Sequence, residues 1–310
     1  MDKKIKIFID TDIGSEMTDA ATLCLAATAP EIELIGVSTV THDTVFRASV
    51  AKKFLEILDQ GHIPVSAGFG KEAKHVWEEA IVFPEGYYPA KLDEREGYKL
   101  ILDLVDQYKN EVTLVGIGTL TNIAKALEVD PLFPRKVKRL VLMGGMIQSP
   151  VIDNLQIPIG FEYNFCNDGK AAEQVIKGGF NLTMLPGDIT FDQNDPWTKE
   201  ELIELASINN PAVQLLSKLQ QTSQIEANKG LVAANLPTQF AKPWVNDELL
   251  IAYLIKPQLF ETQDVYVNWE LPDKYPRIEV SDSGIPLTLI NKANFTEARN
   301  FILDRLSSIQ

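Results

Sequence analysis

Residues 7–23 read IFIDTDIGSEMTDAATL. An apolar run with isoleucines runs into Asp10 and Asp12, a glycine follows at 14, and a helix-type stretch begins near Asp19, the order of a strand, a turn and a helix. The aspartate side chains should emerge at the carboxyl end of a buried strand, and Gly14 permits the tight turn beyond it. Oxygens from Asp10, Asp12, Glu16, Thr18 and Asp19 converging on one place repel one another unless something positive sits among them, and a hard divalent cation is the usual answer. The same residues also fit a turn cap at Asp10 and a helix-dipole partner at Asp19, so the stretch alone leaves both readings open.

Outward from this unit, short apolar runs recur at 4–9, 32–40, 112–118, 137–145 and 182–188. Helical periodicity lies between them at 18–29, 46–60, 95–109, 121–128 and 169–178. Such alternation predicts an α/β protein whose mainly parallel central sheet is flanked by helices, with ligands bound outside the carboxyl ends of the strands. After residue 190 the pattern becomes a helical appendage, followed by a C-terminal β segment with strands at 264–270, 276–281 and 286–290 and a helix from Phe295 to Leu306. No repeat or low-complexity linker divides the chain, so residues 1–310 are expected to form a single domain. The long polar connections 70–95 and 146–163 are of a length that is usually functional or mobile.

The 310 residues are 45% hydrophobic, enough for a sizeable core, and the net charge of −14 disfavours nucleic acid and anionic membranes as partners. Small molecules fit better. Cys24 and Cys166 are too few and too far apart for a disulfide framework or a cysteine metal site, and no apolar run approaches 18 residues. A reducing cytoplasm with no membrane span is the expectation.

Two enzyme families resemble the opening unit. "IFIDTD" is similar to the strand-end motif of haloacid-dehalogenase-type phosphatases, and "GDITFD" at 187–192 imitates their later acidic Mg²⁺ motif. "IDTDIGSEMTDAATL" more closely resembles the metal motif of the nucleoside hydrolase family, the inosine/uridine-type N-ribohydrolases. "VGIGTLTNIAKAL", "VKRLVLMGG", "FEYNFCNDGKAAEQVI" and "NDELLIAYL" resemble that family's other signatures in its order, over roughly residues 4 to 256.

That second resemblance implies a Rossmann-like core and hydrolysis of a purine or pyrimidine ribonucleoside to ribose and free base. It implies a place in nucleobase salvage and a homodimer or homotetramer. It also implies Ca²⁺ as cofactor, held by Asp12, Asp19 and Asp247 and by the backbone carbonyl of Ile117, with Asp10 orienting the site. Three carboxylates and a carbonyl leave room among the six to eight oxygens Ca²⁺ takes for water and a sugar diol. Glu162 and Asn164 match residues that hold ribose hydroxyls; Asn154 and Asp43 fall near the sugar motifs; and Met143 ends a strand that lines the sugar pocket or simply fills the core. Trp244, with Trp77, Tyr87, Tyr88 and Phe240, offers an aromatic face for a base.

The chain departs from the family where catalysis needs an acid and a base. Thr18 stands at the position matched to the water-activating aspartate, and a threonine hydroxyl with no adjacent base does not accept a proton at neutral pH. Asn246 stands where a histidine proton donor is usual, and an amide hydrogen-bonds without protonating. Glu16 is the replacement base this pattern suggests, acting on a water at the cation, while Asn246 and aromatic stacking assist departure of the base. None of the three histidines offers an obvious acid: His42 is near the sugar motif, His62 precedes the "IPVSAG" run, and His75 lies in the segment 70–95, which would close over the site. The alternative is a catalytically weakened ribose- or nucleoside-binding protein of the same fold.

Overall fold

The structure is a computed structural model and describes residues 3–70, 91–191, 196–272 and 275–309. The chain runs β1 (Ile5–Thr11), α1 (Met17–Thr28), β2 (Ile32–Thr39), α2 (Thr44–Ile57), β3 (Val65–Ala67), α3 (Gly97–Gln107), β4 (Val112–Gly116), α4 (Thr121–Val129), α5 (Phe133–Lys136) and β5 (Arg139–Met143). A small hairpin, β6 (Val151–Ile152) and β7 (Leu155–Gln156), leads to α6 (Tyr163–Asn167), α7 (Gly169–Ile176), β8 (Leu182–Leu185) and α8 (Gly187–Thr190). The last third holds α9 (Lys199–Ser207), α10 (Pro211–Ala233), α11 (Glu248–Ile255), β9 (Phe260–Glu270), β10 (Arg277–Ser281), β11 (Ile285–Ala293) and α12 (Phe295–Ser307).

Among the described residues, nine strands form one sheet in the order β10-β9-β11-β8-β5-β4-β1-β2-β3. Every pairing from β3 across to β11 is parallel, and only β9 runs antiparallel to its neighbours β10 and β11. The C-terminal β segment is therefore the edge of the main sheet. β1 sits between β4 and β2 and is buried from Ile7 onward, which is why its sequence reads as a continuous apolar run. Successive side chains alternate between faces: Ile7 and Ile9 join a core shared with Leu23, Phe54, Leu216, Leu250 and Ile302 on α1, α2, α10, α11 and α12. Phe8 joins the opposite core, with Leu100, Ile123 and Val175 on α3, α4 and α7.

Two local expectations are refined, and a short strand is added. β9 starts at Phe260, four residues before the expected 264, because Glu261–Asp264 are exposed and carry no apolar signal while their backbone still pairs with β11. The 146–163 connection is structured by the β6–β7 hairpin, a 3-10 turn at Ile159–Phe161 and the start of α6. β3 is a three-residue strand beside β2. Most of the 70–95 segment lies outside the described residues, and with it His75, Trp77, Tyr87 and Tyr88; Asp192 of "GDITFD" does so too. Cys24 is a buried and Cys166 a half-buried thiol, and among the described residues no helix is long and apolar enough to cross a membrane.

Candidate active site

β1 delivers Asp10, Thr11 and Asp12 to the carboxyl edge of the sheet. The Ile117 N–H, just past β4, donates to the Asp10 carbonyl at 2.9 Å, so the ladder between the two strands continues to the point where their loops diverge. Asp10 Oδ1 accepts from Ser38 Oγ at 2.5 Å and Asn122 Nδ2 at 2.8 Å, while its Oδ2 is buried without a partner. Burial outweighs these two bonds and pushes the carboxyl up to about 7. Asn122 also donates to the Thr39 carbonyl and accepts from the Phe69 N–H at 2.8 Å, which ties the ends of β1 and β2 to the segment behind β3.

Gly14 has φ +120°, which L side chains rarely adopt, so the turn between β1 and α1 requires glycine. At Gly118 a Cβ would meet the Asp12 N–H nitrogen at 2.9 Å, so the loop carrying Ile117 passes directly against the Asp12 backbone. Arg47, only 1% exposed, clamps this turn from α2: it donates to the Ile13 carbonyl at 2.9 Å, to Ser15 Oγ at 3.1 Å and to the Thr41 carbonyl at 3.0 Å. Its charge lowers the pKa of Asp12 and Asp19, although no carboxylate among the described residues lies at ion-pair distance from it.

Beyond the turn, Thr11 Oγ1 donates to Asp19 Oδ1 at 2.5 Å and Thr18 Oγ1 donates to Asp247 Oδ2 at 2.7 Å. Glu16, Asp19 and Asp247 each bring a carboxylate oxygen within 4.8 Å of the others, although 228 residues separate the last two in sequence, as 247 − 19 shows. Burial, then repulsion by neighbouring acids, holds Asp19 and Asp247 well above the usual carboxylate range. Glu16 is exposed at the rim, yet the protein around its carboxylate and the charge of Asp12 raise it to about 7. Asp12 is raised by burial and lowered by Arg47. Asp247 Oδ1 is buried with no hydrogen-bond partner. All-oxygen donors, mutual repulsion and an unused buried oxygen together fit a hard divalent cation such as Ca²⁺ or Mg²⁺.

Asn246 Oδ1 is likewise buried and unpartnered. The Asn246 N–H donates to Glu248 Oε2 at 3.2 Å, and Glu248 also accepts from Trp197 Nε1 at 3.1 Å; burial raises this carboxyl to about 8. Glu248, Arg47, Asn122 and Ser38 were not singled out in the sequence, since each sits in an ordinary helix or strand pattern. The buried-cation signal of "TVFRASVAKK", a basic residue on a strongly apolar helix face, was the one clue to Arg47.

The opposite wall differs. Glu162 caps α6, accepting from the N–H groups of Asn164 at 2.7 Å and Phe165 at 3.0 Å and from those of Gly145 and Cys166. Burial nevertheless raises it to about 7. Asn164 Nδ2 donates to the Met143 carbonyl at 3.0 Å, so Met143, Glu162 and Asn164 are brought together at the end of β5. Asp43 is exposed and caps α2 through the Phe46 N–H. Asn154 is exposed on the β6–β7 turn with φ 65°, a conformation that explains an asparagine there by turn geometry. Trp244 is buried, donates from Nε1 to the Phe240 carbonyl at 3.2 Å and packs edge-on to Phe191 at 5.7 Å. Phe161, Phe191, Phe240 and Trp244 form one aromatic cluster. Asp188 of "GDITFD" accepts from the Ile147 and Gln148 N–H groups and so pins the loop after β5.

Fold and site together define an α/β protein with an acidic, cation-fitting cluster of side chains at the carboxyl edge of a mainly parallel sheet. The sequence pattern of the family described as inosine-uridine preferring nucleoside hydrolase matches residues 7–286, and the chain belongs to that family. It is 30% identical over 285 residues to an inosine-uridine preferring nucleoside hydrolase of Crithidia fasciculata, covering 87% of this chain and 84% of that one. The counterpart from Leishmania major is 30% identical over 284 residues, with 86% and 83% covered. The solved structure of a purine-preferring ribonucleoside hydrolase from Gardnerella vaginalis superposes with a TM-score of 0.81 at 20% identity, over 98% of both chains, a likeness of fold. The phosphatase resemblance is thereby set aside.

Proposed function

We propose that the protein hydrolyses the N-glycosidic bond of a ribonucleoside, giving ribose and free base. The observation that carries the reading is the convergence of Glu16, Asp19 and Asp247, of which Asp247 also keeps one buried oxygen, Oδ1, without a partner. Asp12, Asp19, Asp247 and the Ile117 carbonyl would hold Ca²⁺, and the cation would supply positive charge to grip a sugar diol and acidify water. Asp10, anchored by Ser38 and Asn122, keeps the strand end in register. Glu16 takes a proton from the attacking water; a carboxyl near 7 is close to the pKa that serves a base at neutral pH. Thr18 does not compete for this role, because its hydroxyl is committed to Asp247. Asn246 hydrogen-bonds the departing base, Glu162, Asn164, Asp43 and Asn154 frame the ribose hydroxyls, and Met143 and Trp244 supply apolar surface.

The test is release of ribose from inosine, uridine, adenosine and cytidine by purified protein, with and without chelator. Release that chelator abolishes and calcium restores supports the proposal. Tight binding of a nucleoside without release favours the second reading, a nucleoside-binding protein, for which the committed Thr18 hydroxyl and the non-acidic Asn246 speak. Glu16→Gln lowers kcat by about 10²–10⁴-fold if Glu16 is the base. A homodimer or homotetramer in the cytoplasm completes the proposal, and sedimentation checks the assembly.

A further inference from the structure

Two loops that leave non-neighbouring strands meet above the sheet. His42 follows β2, Tyr163 opens α6 behind β5, and β1 and β4 lie between those strands. Three strand spacings separate the ends of β2 and β5 by about 14 Å. His42 Nε2 and Tyr163 Oη nevertheless lie 2.7 Å apart. Their contact therefore bridges the edge from which Asp12 and Ile117 emerge. The ring centroids are 6.4 Å apart and tilted at 45°, so the two rings meet through their polar atoms and not through a stacked packing surface.

Both partners are held in place. Thr41 and His42 have φ of 71° and 55°, two successive non-glycine residues in the left-handed region, the first of them β-branched. Such strain persists only where the surroundings over-determine it, and it concentrates at functional sites. Here Thr41 donates its N–H to the Phe69 carbonyl at 2.9 Å, shares a hydroxyl contact with Thr119 at 2.8 Å and accepts from Arg47. On the other side, the Glu162 cap and the Asn164–Met143 bond fix the turn that carries Tyr163 to the end of β5. Tyr163 is 36% exposed, so its phenol remains accessible from solvent.

Departure of a nucleobase needs a proton that neither Asn246 nor Thr18 supplies. We propose that Tyr163 donates this proton, with His42 as the positioning residue that orients the phenol and resupplies it; the inference rests on the ribohydrolase reading above. The step balances. The C1′–N bond breaks with its electron pair going to the base, whose nitrogen takes the Tyr163 Oη proton. Tyr163 recovers a proton from His42 Nε2 as the ring takes one up at Nδ1, so no imidazolate forms. The water oxygen bonds C1′ and its proton goes to Glu16. Solvent supplies the proton at His42 Nδ1 and removes one from Glu16.

The experiment compares uridine and inosine with 4-nitrophenyl β-D-riboside, whose nitrophenolate leaves without protonation. Tyr163→Phe removes the donor and His42→Asn removes the relay, and asparagine tolerates the left-handed backbone at 42. The ratio of nucleoside to nitrophenyl riboside turnover is expected to fall about 10²-fold or more in Tyr163→Phe. It should fall in the same direction in His42→Asn, and little further in the double variant, because the pair acts as a unit. A ratio unchanged from wild type, whether both rates drop together or neither does, overturns the inference while leaving the ribohydrolase reading intact. A wild type that releases ribose from neither kind of substrate overturns both.

Discussion

Asp247 and Glu162 are both buried carboxylates at helix N-termini over the same sheet edge, yet their oxygens are used differently. Glu162 accepts backbone N–H groups at the start of α6 and ties α6 to the end of β5. Asp247 makes no side-chain cap to α11, takes one hydroxyl from Thr18 and leaves Oδ1 buried without a partner, beside Glu16 and Asp19. The α6 wall is complete as it stands. The wall of α1 and α11 crowds Glu16, Asp19 and Asp247 together and leaves a buried oxygen unused, the arrangement that the proposed cation would relieve. An unpaired buried oxygen among crowded carboxylates points to a ligand, whereas the paired oxygens of Glu162 hold their wall rigid.

The largest effect should come from Asp247→Asn. It removes one member of the repelling group, so the chelator-treated protein is expected to melt no lower than wild type. The calcium-induced rise in Tm should vanish, and kcat/KM should drop by at least about 10²-fold, since even residues behind the metal ligands cost up to that much. Retention of the calcium response would break the contrast between the walls. Next in size, Arg47→Met takes away three hydrogen bonds and the charge that favours ionised Asp12 and Asp19. Unfolding of the chelator-treated protein should be easier by about 3 kcal/mol by urea titration, with calcium recovering part of the loss.

Glu162→Ala should cost about 1–2 kcal/mol as a lost helix cap, equally with and without calcium, because this wall does not depend on the cation. A cap loss that appears only in the calcium-free protein would undo the comparison. The remaining effect is on pH. Asp10, Glu16 and Glu162 are raised to about 7 and Glu248 to about 8, above the values of an unfolded chain. The folded state therefore binds more protons than the unfolded one across this window. Their contribution to stability is full below the unfolded carboxylate range and is lost as pH rises through 7 to 8. Tm scans of chelator-treated protein from pH 5 to 8 should show this loss, and calcium, which binds the ionised form, should restore more stability at pH 8 than at pH 5.

Much of the fold was legible because β1, β2, β4, β5 and β8 are buried parallel strands, whose apolar runs stand out between amphipathic helices. β9 began four residues before it was visible, since an exposed antiparallel edge carries pairing in its backbone while its side chains stay polar. The acidic motif at 10–19 and the late Asp247 were legible as residues of a known pattern, and their convergence is geometric. What the sequence hid was the support: Arg47, Asn122, Ser38 and Glu248 act through hydrogen bonds to segments distant along the chain, and no local periodicity records those partners. Asn154 shows the reverse. The "IDNL" stretch is a turn signal, with Asp153 and Asn154 both at positive φ, and the hairpin could have been read from it.

The most direct test of the crowded wall is calorimetric titration of calcium into chelator-stripped wild type and Asp247→Asn, with Tm read in parallel. Saturable binding to the wild type with a rise in Tm, both absent from the variant, is the predicted result. No binding to the wild type, or binding that Asp247→Asn leaves untouched, contradicts the account.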